Sequence, residues 1–203
     1  IETHLGKKFT VMEPRVTDLF RHLERTGAPI LPRDVGLIIG MAGIGSNDLV
    51  LDVGTGTGIL SICLGKIGAK VITYEKNPKF FEVAQNNIKR AKVEEMVEIR
   101  GKDVVEDLAV LNGFSVVTLD MRDAEAVVEH ARKILRIGGI LVVYSPFIES
   151  AKKVVECARD VGLSDIKTID TIQREIEFGA RGSRPQTRGV GHSGYLTFAR
   201  RYT

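Results

Sequence analysis

Tryptophan is absent from these 203 residues, and cysteine is almost absent: only Cys63 and Cys157 occur. Two thiols set in apolar patterns supply neither a disulfide framework nor a zinc ligand set, so buried free thiols and no metal are expected. No run of eighteen apolar residues occurs, which excludes a membrane-spanning helix. The N-terminus lacks the basic and then apolar pattern of a secretory signal, and a cytoplasmic setting is the expectation. Internal repeats and low-complexity tracts are also missing, which excludes solenoids and disordered arrays. Net charge is small, +3, but it is unevenly spread. Residues 1–33 carry six Lys/Arg against four acids, and residues 174–203 carry six against two, around a slightly acidic middle. That distribution suits a small-molecule site flanked by surface for a polyanion, although ordinary solvated arginines give the same count.

What is present is a rhythm of short β-rich runs and helical patterns. Leu49–Val53, Lys70–Tyr74, Val97–Arg100, Ser115–Leu119 and Ile140–Tyr144 read as strands. A helix follows the glycine-rich turn, from Ile59 to about Ile67. Another starts near Pro78 and repeats Phe80, Ala84, Ile88 and Ala91 on one face. Ala124, Val127, Val128, Ala131 and Leu135 make a further amphipathic face, which Gly138-Gly139 is expected to end. Ser150–Val161 is the next helix, and Val35–Met41 a helix preceded by Pro32 and Asp34. Alternating β and α units imply a parallel sheet with helices on both faces. After Gly162 the rhythm changes. Ile166–Ile172 and Tyr195–Arg200 read as strands with no crossover helix between them, so they are expected to pair antiparallel across a Gly/Arg-rich loop.

The strongest motif is Leu51-Asp52-Val53-Gly54-Thr55-Gly56-Thr57-Gly58-Ile59-Leu60, where the first strand turns into a helix. Glycines there permit positive φ and close approach of backbone to a ligand. The spacing differs from the dinucleotide fingerprint G-x-G-x-x-G, because Ile59 stands where its third glycine would. No Lys follows the glycines, which argues against a phosphate-binding loop. The form resembles motif I of the methyltransferases that use S-adenosylmethionine (SAM). Glu75 ends the second strand, about twenty residues on, where an acid accepts both ribose hydroxyls of an adenosine. Asp103-Val104 follow the third strand, where such enzymes bind adenine. Phe80 either lines the same pocket or belongs to the buried face of its helix. Asp120 closes the fourth strand, at the edge where open α/β sheets bind ligands. We assign the reacting site to Asp120 and the cap of the following helix to Asp123.

The ends of the chain carry a narrower resemblance. Thr3-His4-Leu5-Gly6 with Phe9, then Pro14, Asp18, Arg25, Pro32, Asp34 and Gly36, resembles the entry segment of the tRNA adenine-N1 methyltransferases that modify nucleotide 58 of the T-loop. Arg184-Pro185 and Gly191-His192-Ser193-Gly194-Tyr195-Leu196 resemble their C-terminal signature. The resemblance spans nearly the whole chain. It implies a Rossmann-like class I SAM methyltransferase: a mostly parallel seven-stranded sheet with an antiparallel C-terminal hairpin. It implies SAM as cofactor, S-adenosylhomocysteine as product and tRNA as partner. It places cofactor contacts on Gly54, Thr55, Gly56, Thr57, Gly58, Ile59, Leu60, Glu75, Phe80, Asp103, Val104 and Asp120, with Asp120 catalytic. Archaeal relatives look closest, some of which also modify nucleotide 57, and microbial members are commonly homotetramers. Residues 1–33 then read as the link from a small β domain plus a lead-in helix, and 34–203 as the catalytic domain.

Two departures stand out. The family follows its Asp with prolines, whereas Met121, Arg122, Asp123 and Ala124 follow Asp120. Gly27-Ala28 replace a Thr-Gln pair near the methionine end of SAM. Arg181, Arg184, Arg188 and His192 are candidates to hold RNA phosphates at the pocket mouth; His192 packed between glycines as a loop anchor is the alternative. Two other functions fit less of the chain. One is a SAM enzyme for a small molecule or isoaspartyl protein, and the other a non-catalytic RNA-binding subunit, although partners of that kind have lost motif I and this chain keeps it with Glu75 and Asp120.

Overall fold

The computed structural model describes residues 1–27, 29–187, 189 and 191–203. Its centre is a seven-stranded sheet made of β1 (Leu49–Val53), β2 (Lys70–Tyr74), β3 (Val97–Arg100), β4 (Phe114–Leu119), β5 (Leu135–Ser145), β6 (Ser164–Asp170) and, last in the chain, β9 (Tyr195–Arg200). The spatial order is β3-β2-β1-β4-β5-β9-β6. β1 pairs parallel with β2 and β4, as do β2 with β3 and β4 with β5. β9 lies between β5 and β6, antiparallel to both. The chain runs outward from β1 to β3 and then returns to place β4 on the other flank of β1. That reversal opens a crevice beyond the carboxyl ends of β1 and β4, where ligands of open α/β sheets bind.

Helices α1 (Val16–His22), α2 (Pro32–Ala42), α3 (Ile59–Lys66) and α4 (Pro78–Ala91) cover one face of the sheet; α5 (Glu125–Ile134) and α6 (Ile148–Asp160) cover the other. Alternation along β1 feeds both cores. Val50 packs with Val35, Ile38, Ile62 and Leu64, while Leu51 and Val53 pack with Val117, Val127, Val128 and Ile134. Ile62 and Leu64 have no exposed surface, and burying each contributes roughly 1.5–3 kcal/mol. Leu19 and Leu23 join the first of these cores, so the segment entering the sheet is packed down. The start of α4 is set by Asn77, whose side chain accepts from the Lys79 amide, and by Pro78 in the first turn.

Some expected boundaries move. Gly138-Gly139 do not end a helix. α5 stops at Ile134, and the glycines lie inside β5, in an irregular stretch where the register on β4 jumps from Phe114↔Leu135 to Val116↔Ile140. Gly138 takes φ +81° there, a conformation open to glycine at little cost. Leu135, placed on the helical face by spacing, is the first residue of that strand. Asp123 does not cap α5 with its side chain: the N-cap is Ala124, and Asp123 adopts φ +56° just before it. α2 begins at Pro32, the favoured first-turn position for proline, not at Val35. The sixth strand ends at Asp170, before Ile172, and the Gly/Arg-rich loop holds a separate hairpin, β7 (Ile176–Gly179) with β8 (Gly182–Pro185). Among the described residues no helix is long and apolar enough to cross a membrane.

Candidate active site

The glycine turn is shaped by its surroundings. Gly54, Gly56 and Gly58 take φ +91°, +55° and +78°, values that L side chains rarely adopt. The amides of Gly54 and Thr55 both donate to the Tyr74 carbonyl, at 3.0 and 3.2 Å, which ties the turn to the end of β2. A Cβ on Gly54 would lie 1.9 Å from the carbonyl oxygen of Asp120. The Asp120 amide in turn donates to the Val53 carbonyl at 2.8 Å, which extends the β1–β4 ladder by one step. The turn and Asp120 are thus one rigid unit at the switch point.

Glu75 locks the turn from the β2 side. It is buried; its Oε2 accepts from the Gly56 amide and its Oε1 from the Asn77 amide, each at 2.9 Å. Beneath the turn lies Asp52, 2% exposed, whose carboxylate accepts from Ser61 Oγ at 2.5 Å, Thr118 Oγ1 at 2.7 Å and Thr73 Oγ1 at 3.0 Å. Burial pushes the Asp52 carboxyl up and the three hydroxyls oppose that rise. Asp120 is exposed, and it lines the small cavity beside the turn. Desolvation there, followed by the charges of Asp52 and Glu75, raises its carboxyl to about 7. A carboxyl poised near neutrality in a cleft is a marker of a functional position.

One cavity gathers most of the expected cofactor residues. Gly54, Thr55, Gly56, Thr57, Ile59, Leu60 and Asp120 line it, together with Asp52, Thr26, Pro29 and Ile30. Gly58 does not line this cavity; a Cβ on it would meet Ala84 of α4 at 3.5 Å. Asp103 and Val104 lie one strand further along the edge. Asp103 accepts from the Val105 amide at 3.2 Å and pairs with Lys76 at 3.2 Å, while Val104 is buried in the core beside Tyr74. Phe80 is half-buried on α4 and belongs to neither core cluster; its neighbour Phe81 packs against Gly101, before Asp103. A wider concavity of about 510 Å³, lined by Val105, Leu108, Ala109, Leu111, Asn112, His130 and Lys133, shares no residue with this cluster and holds no carboxylate. Among the described residues no group of three His, Cys, Asp or Glu side chains is placed to hold a metal ion.

Among the basic candidates that are described, Arg181, Arg184 and His192 do not line the cavity of the glycine turn. Arg181 and Arg184 sit on the exposed β7–β8 hairpin; Arg188 lies outside the described residues. His192 Nδ1 is 3.1 Å from Asp170 Oδ1, and its ring leans on Tyr195 at 4.7 Å. Next to it, the Tyr144 hydroxyl donates to the Ser193 carbonyl, and a Cβ on Gly194 would strike the Tyr144 ring at 2.5 Å. Burial, then the charges of Asp120 and Asp34, hold the Tyr144 phenol above its ordinary value, so Tyr144 joins the Gly191–Gly194 segment to the surroundings of Asp120. Asp52, Thr26, Tyr144 and Asn87, whose Nδ2 donates to the Thr57 carbonyl at 2.9 Å, join the site beyond the residues expected from sequence. Only Asp52 left a signal, as a charge inside an otherwise apolar buried strand.

Comparison with known proteins follows the same line. The sequence model of the family described as tRNA methyltransferase complex GCD14 subunit matches residues 21–183. A tRNA (adenine(57)-N(1)/adenine(58)-N(1))-methyltransferase of Methanocaldococcus jannaschii is 36% identical over 98% of this chain and 81% of its own length. A tRNA (adenine(58)-N(1))-methyltransferase of Thermus thermophilus is 26% identical over 100% of this chain and 80% of its own. Among solved structures, a SAM-dependent O-methyltransferase from Thermotoga maritima superposes with TM-score 0.88 at 24% identity, over 100% of this chain and 77% of that one. The tRNA (m1A58) methyltransferase of Aquifex aeolicus gives TM-score 0.86 at 24% identity, over 94% and 77%. At these identities the superpositions establish the fold, that of a Rossmann-like methyltransferase.

Proposed function

This chain belongs to the family of tRNA methyltransferase complex GCD14 subunits, and on that premise we propose that it methylates N1 of an adenine in the T-loop of tRNA, using SAM. The observation that carries this reading is the placement of Asp120. Its carboxyl stands at the end of β4, against a glycine turn too tight for any side chain at Gly54, in one cavity with that turn.

The residues present fit the cofactor. Gly54 and Gly56 line the cavity without side chains, so the backbone of the turn is open to a ligand there. Glu75 spends one lone pair of each oxygen on a backbone amide and keeps the others for ribose hydroxyls. Asp103 is suited to adenine, its carboxylate to the exocyclic amine, while Val104 is buried in the core behind that position and offers no free apolar face. When bound, SAM supplies an electrophilic methyl group on a sulfonium. Asp52, Glu75 and Asp120 make the pocket negative, which favours that positive charge.

Adenine N1 carries a lone pair, so the protein need not supply a strong base, and its task is to position the ring. Methylation leaves the ring cationic. An ionised Asp120 accepts from the exocyclic amine and stabilises the growing charge. A base in a folded loop must be extruded to reach this depth. Arg181, Arg184, Arg188 and His192 are the groups we assign to the phosphates around it. We further propose residues 34–203 as the catalytic domain, with 1–33 as a link to it, nucleotide 58 or its neighbour 57 as target, a homotetrameric assembly and a cytoplasmic setting; these rest on the family resemblance.

The test is transfer of labelled methyl from SAM to unmodified tRNA, followed by nucleoside digestion. N1-methyladenosine mapping to the T-loop is the expected product. Binding of S-adenosylhomocysteine without any label in tRNA would overturn the substrate and leave the cofactor.

A further inference from the structure

Asp103, suited to the adenine amine, and Asp107 stand at the two ends of one short 3₁₀ turn, Val104–Glu106. The Glu106 amide donates to the Asp103 carbonyl at 3.2 Å and the Asp107 amide to the Val104 carbonyl at 2.9 Å, so the two aspartates belong to one hydrogen-bonded unit. The Asp103 end is held weakly from outside. Its ion pair with Lys76 lies at the surface, the lysine side chain 68% exposed, and pairs of that kind fix little.

The Asp107 end is held from the protein side. Asp107 Oδ2 accepts from the Tyr74 hydroxyl and Oδ1 from the Lys102 ammonium, each at 2.7 Å. Those two hydrogen bonds, Lys102 first, hold its carboxyl below the ordinary value, so it is an ionised acceptor. Tyr74 is 1% exposed, and Arg100 Nη1 donates to its hydroxyl at 2.6 Å. The phenol thus gives its one proton to Asp107 and accepts from Arg100. The Tyr74 carbonyl meanwhile accepts from the Gly54 and Thr55 amides. One residue of β2 therefore fastens both halves of the cofactor edge, the glycine turn by its backbone and the turn bearing Asp103 by its side chain. The entry to that second turn is pinned as well: a Cβ on Gly101 would meet the Phe81 ring at 3.1 Å.

We propose that Asp107 is a positioning residue for the adenine of the cofactor: held by Tyr74 and Lys102, it sets the turn on which Asp103 meets the exocyclic amine. The proposal rests on the SAM reading above and on the adenine role of Asp103 within it. Asp107 touches no ligand itself. It acts through Asp103 alone, so its effect vanishes when either Asp103 or the amine is taken away.

Two ligands and a double-mutant cycle test that dependence. The ligands are S-adenosylhomocysteine and its analogue with unsubstituted purine in place of adenine, which lacks only the exocyclic amine. Dissociation constants are measured by calorimetry on the parent, Asp107→Ala, Tyr74→Phe, Asp103→Ala and the variant that combines Asp103→Ala with Asp107→Ala. Tyr74→Phe keeps the buried ring and the carbonyl and removes only the hydroxyl, so it carries the test if Asp107→Ala does not fold. S-adenosylhomocysteine binding is expected to weaken roughly tenfold in Asp103→Ala, the factor for one lost hydrogen bond to a charged partner, and roughly three- to tenfold in Asp107→Ala and Tyr74→Phe. Affinity for the purine analogue stays at the parental value, and Asp107→Ala adds nothing to Asp103→Ala, the non-additivity of two residues that act as one. Equal losses for the two ligands, the same loss from Asp107→Ala in both backgrounds, or no loss in Asp107→Ala and Tyr74→Phe overturns the proposal. A parent that binds the two ligands alike, or an Asp103→Ala variant that binds as the parent does, overturns instead the adenine role of Asp103. A parent that binds neither ligand overturns the SAM reading itself.

Discussion

Gly54 and Asp120 are in backbone contact: a Cβ on the glycine would stand 1.9 Å from the aspartate's carbonyl oxygen. The first residue of the cofactor turn and the proposed catalytic residue therefore share one steric constraint, though 66 positions separate them. Gly54→Ala must push Asp120 away, and it also forces a side chain to φ +91°. Strain of this kind costs about 1–3 kcal/mol, and a displacement of about 1 Å at the reacting group costs about 100-fold in rate. Methyl transfer assayed beside urea unfolding should show both losses; a variant of parental turnover would break the link.

The pH dependence follows from the Asp120 carboxyl at about 7. Below that value it is protonated and cannot stabilise a cation, so kcat/KM for tRNA should climb about tenfold per pH unit and level off above neutrality. Asp120→Asn should flatten the profile and lower it by about 100-fold. Stability should move the opposite way. The folded carboxyl lies above its ordinary 3.8, so its contribution is fully present below about pH 4 and is lost as pH rises through 7. Asparagine has no such loss, and the Tm advantage of Asp120→Asn over the parent should widen between pH 5 and pH 8.

Asp52 reaches the same titration indirectly. Its charge is one cause of the raised Asp120 carboxyl. Asp52→Asn should therefore shift the ascending limb of the pH profile to lower pH, while asparagine still accepts from part of the hydroxyl set. Asp52→Ala strands Ser61, Thr73 and Thr118, and should cost about 2–4 kcal/mol in urea unfolding.

Glu75→Gln tests the lock on the turn. Each Glu75 oxygen accepts from a backbone amide, so either orientation of a glutamine sets its NH₂ against one of those N–H groups. S-adenosylhomocysteine affinity should fall about tenfold, read by calorimetry, while the far-UV spectrum is retained.

Arg181→Ala and Arg184→Ala should leave S-adenosylhomocysteine binding alone and weaken tRNA. If each holds one phosphate, each should reduce the slope of log affinity against log salt by about 0.7–0.9. A filter-binding titration across salt concentrations measures it, and unchanged slopes would remove the β7–β8 hairpin from the RNA surface.

Much of this fold was legible because it rests on local pattern. Buried parallel strands read as apolar runs, and β1 and β2 begin and end where those runs do, as β3 and the antiparallel β9 begin and end where their β-rich runs do. The glycine turn was legible because positive φ leaves its mark as glycine. The misplaced elements are those where two local rules compete. Gly138-Gly139 obey the rule for helix ends, yet Leu135 pairs with Phe114, and the glycines instead absorb an irregularity in the ladder. Asn87 stayed hidden for another reason. Its importance lies in a partner 63 residues away, Glu24, which leaves no periodic trace. Tyr144 reads simply as the polar end of an apolar strand until Gly194 is seen against its ring.

The antiparallel strand β9 has a consequence for how the molecule is made. Tyr195–Arg200 is the last strand of the chain, but it lies between β5 and β6, and β6 has no other neighbour in the sheet. While the ribosome is still short of Tyr195, β6 can only wait, its backbone donors and acceptors turned to water. The β7–β8 hairpin, which carries Arg181 and Arg184, then lies in the connection that the final strand closes. The sheet edge is thus completed only when those residues emerge, and before that point a nascent chain presents an open strand edge for chaperones, or for aggregation, to act upon.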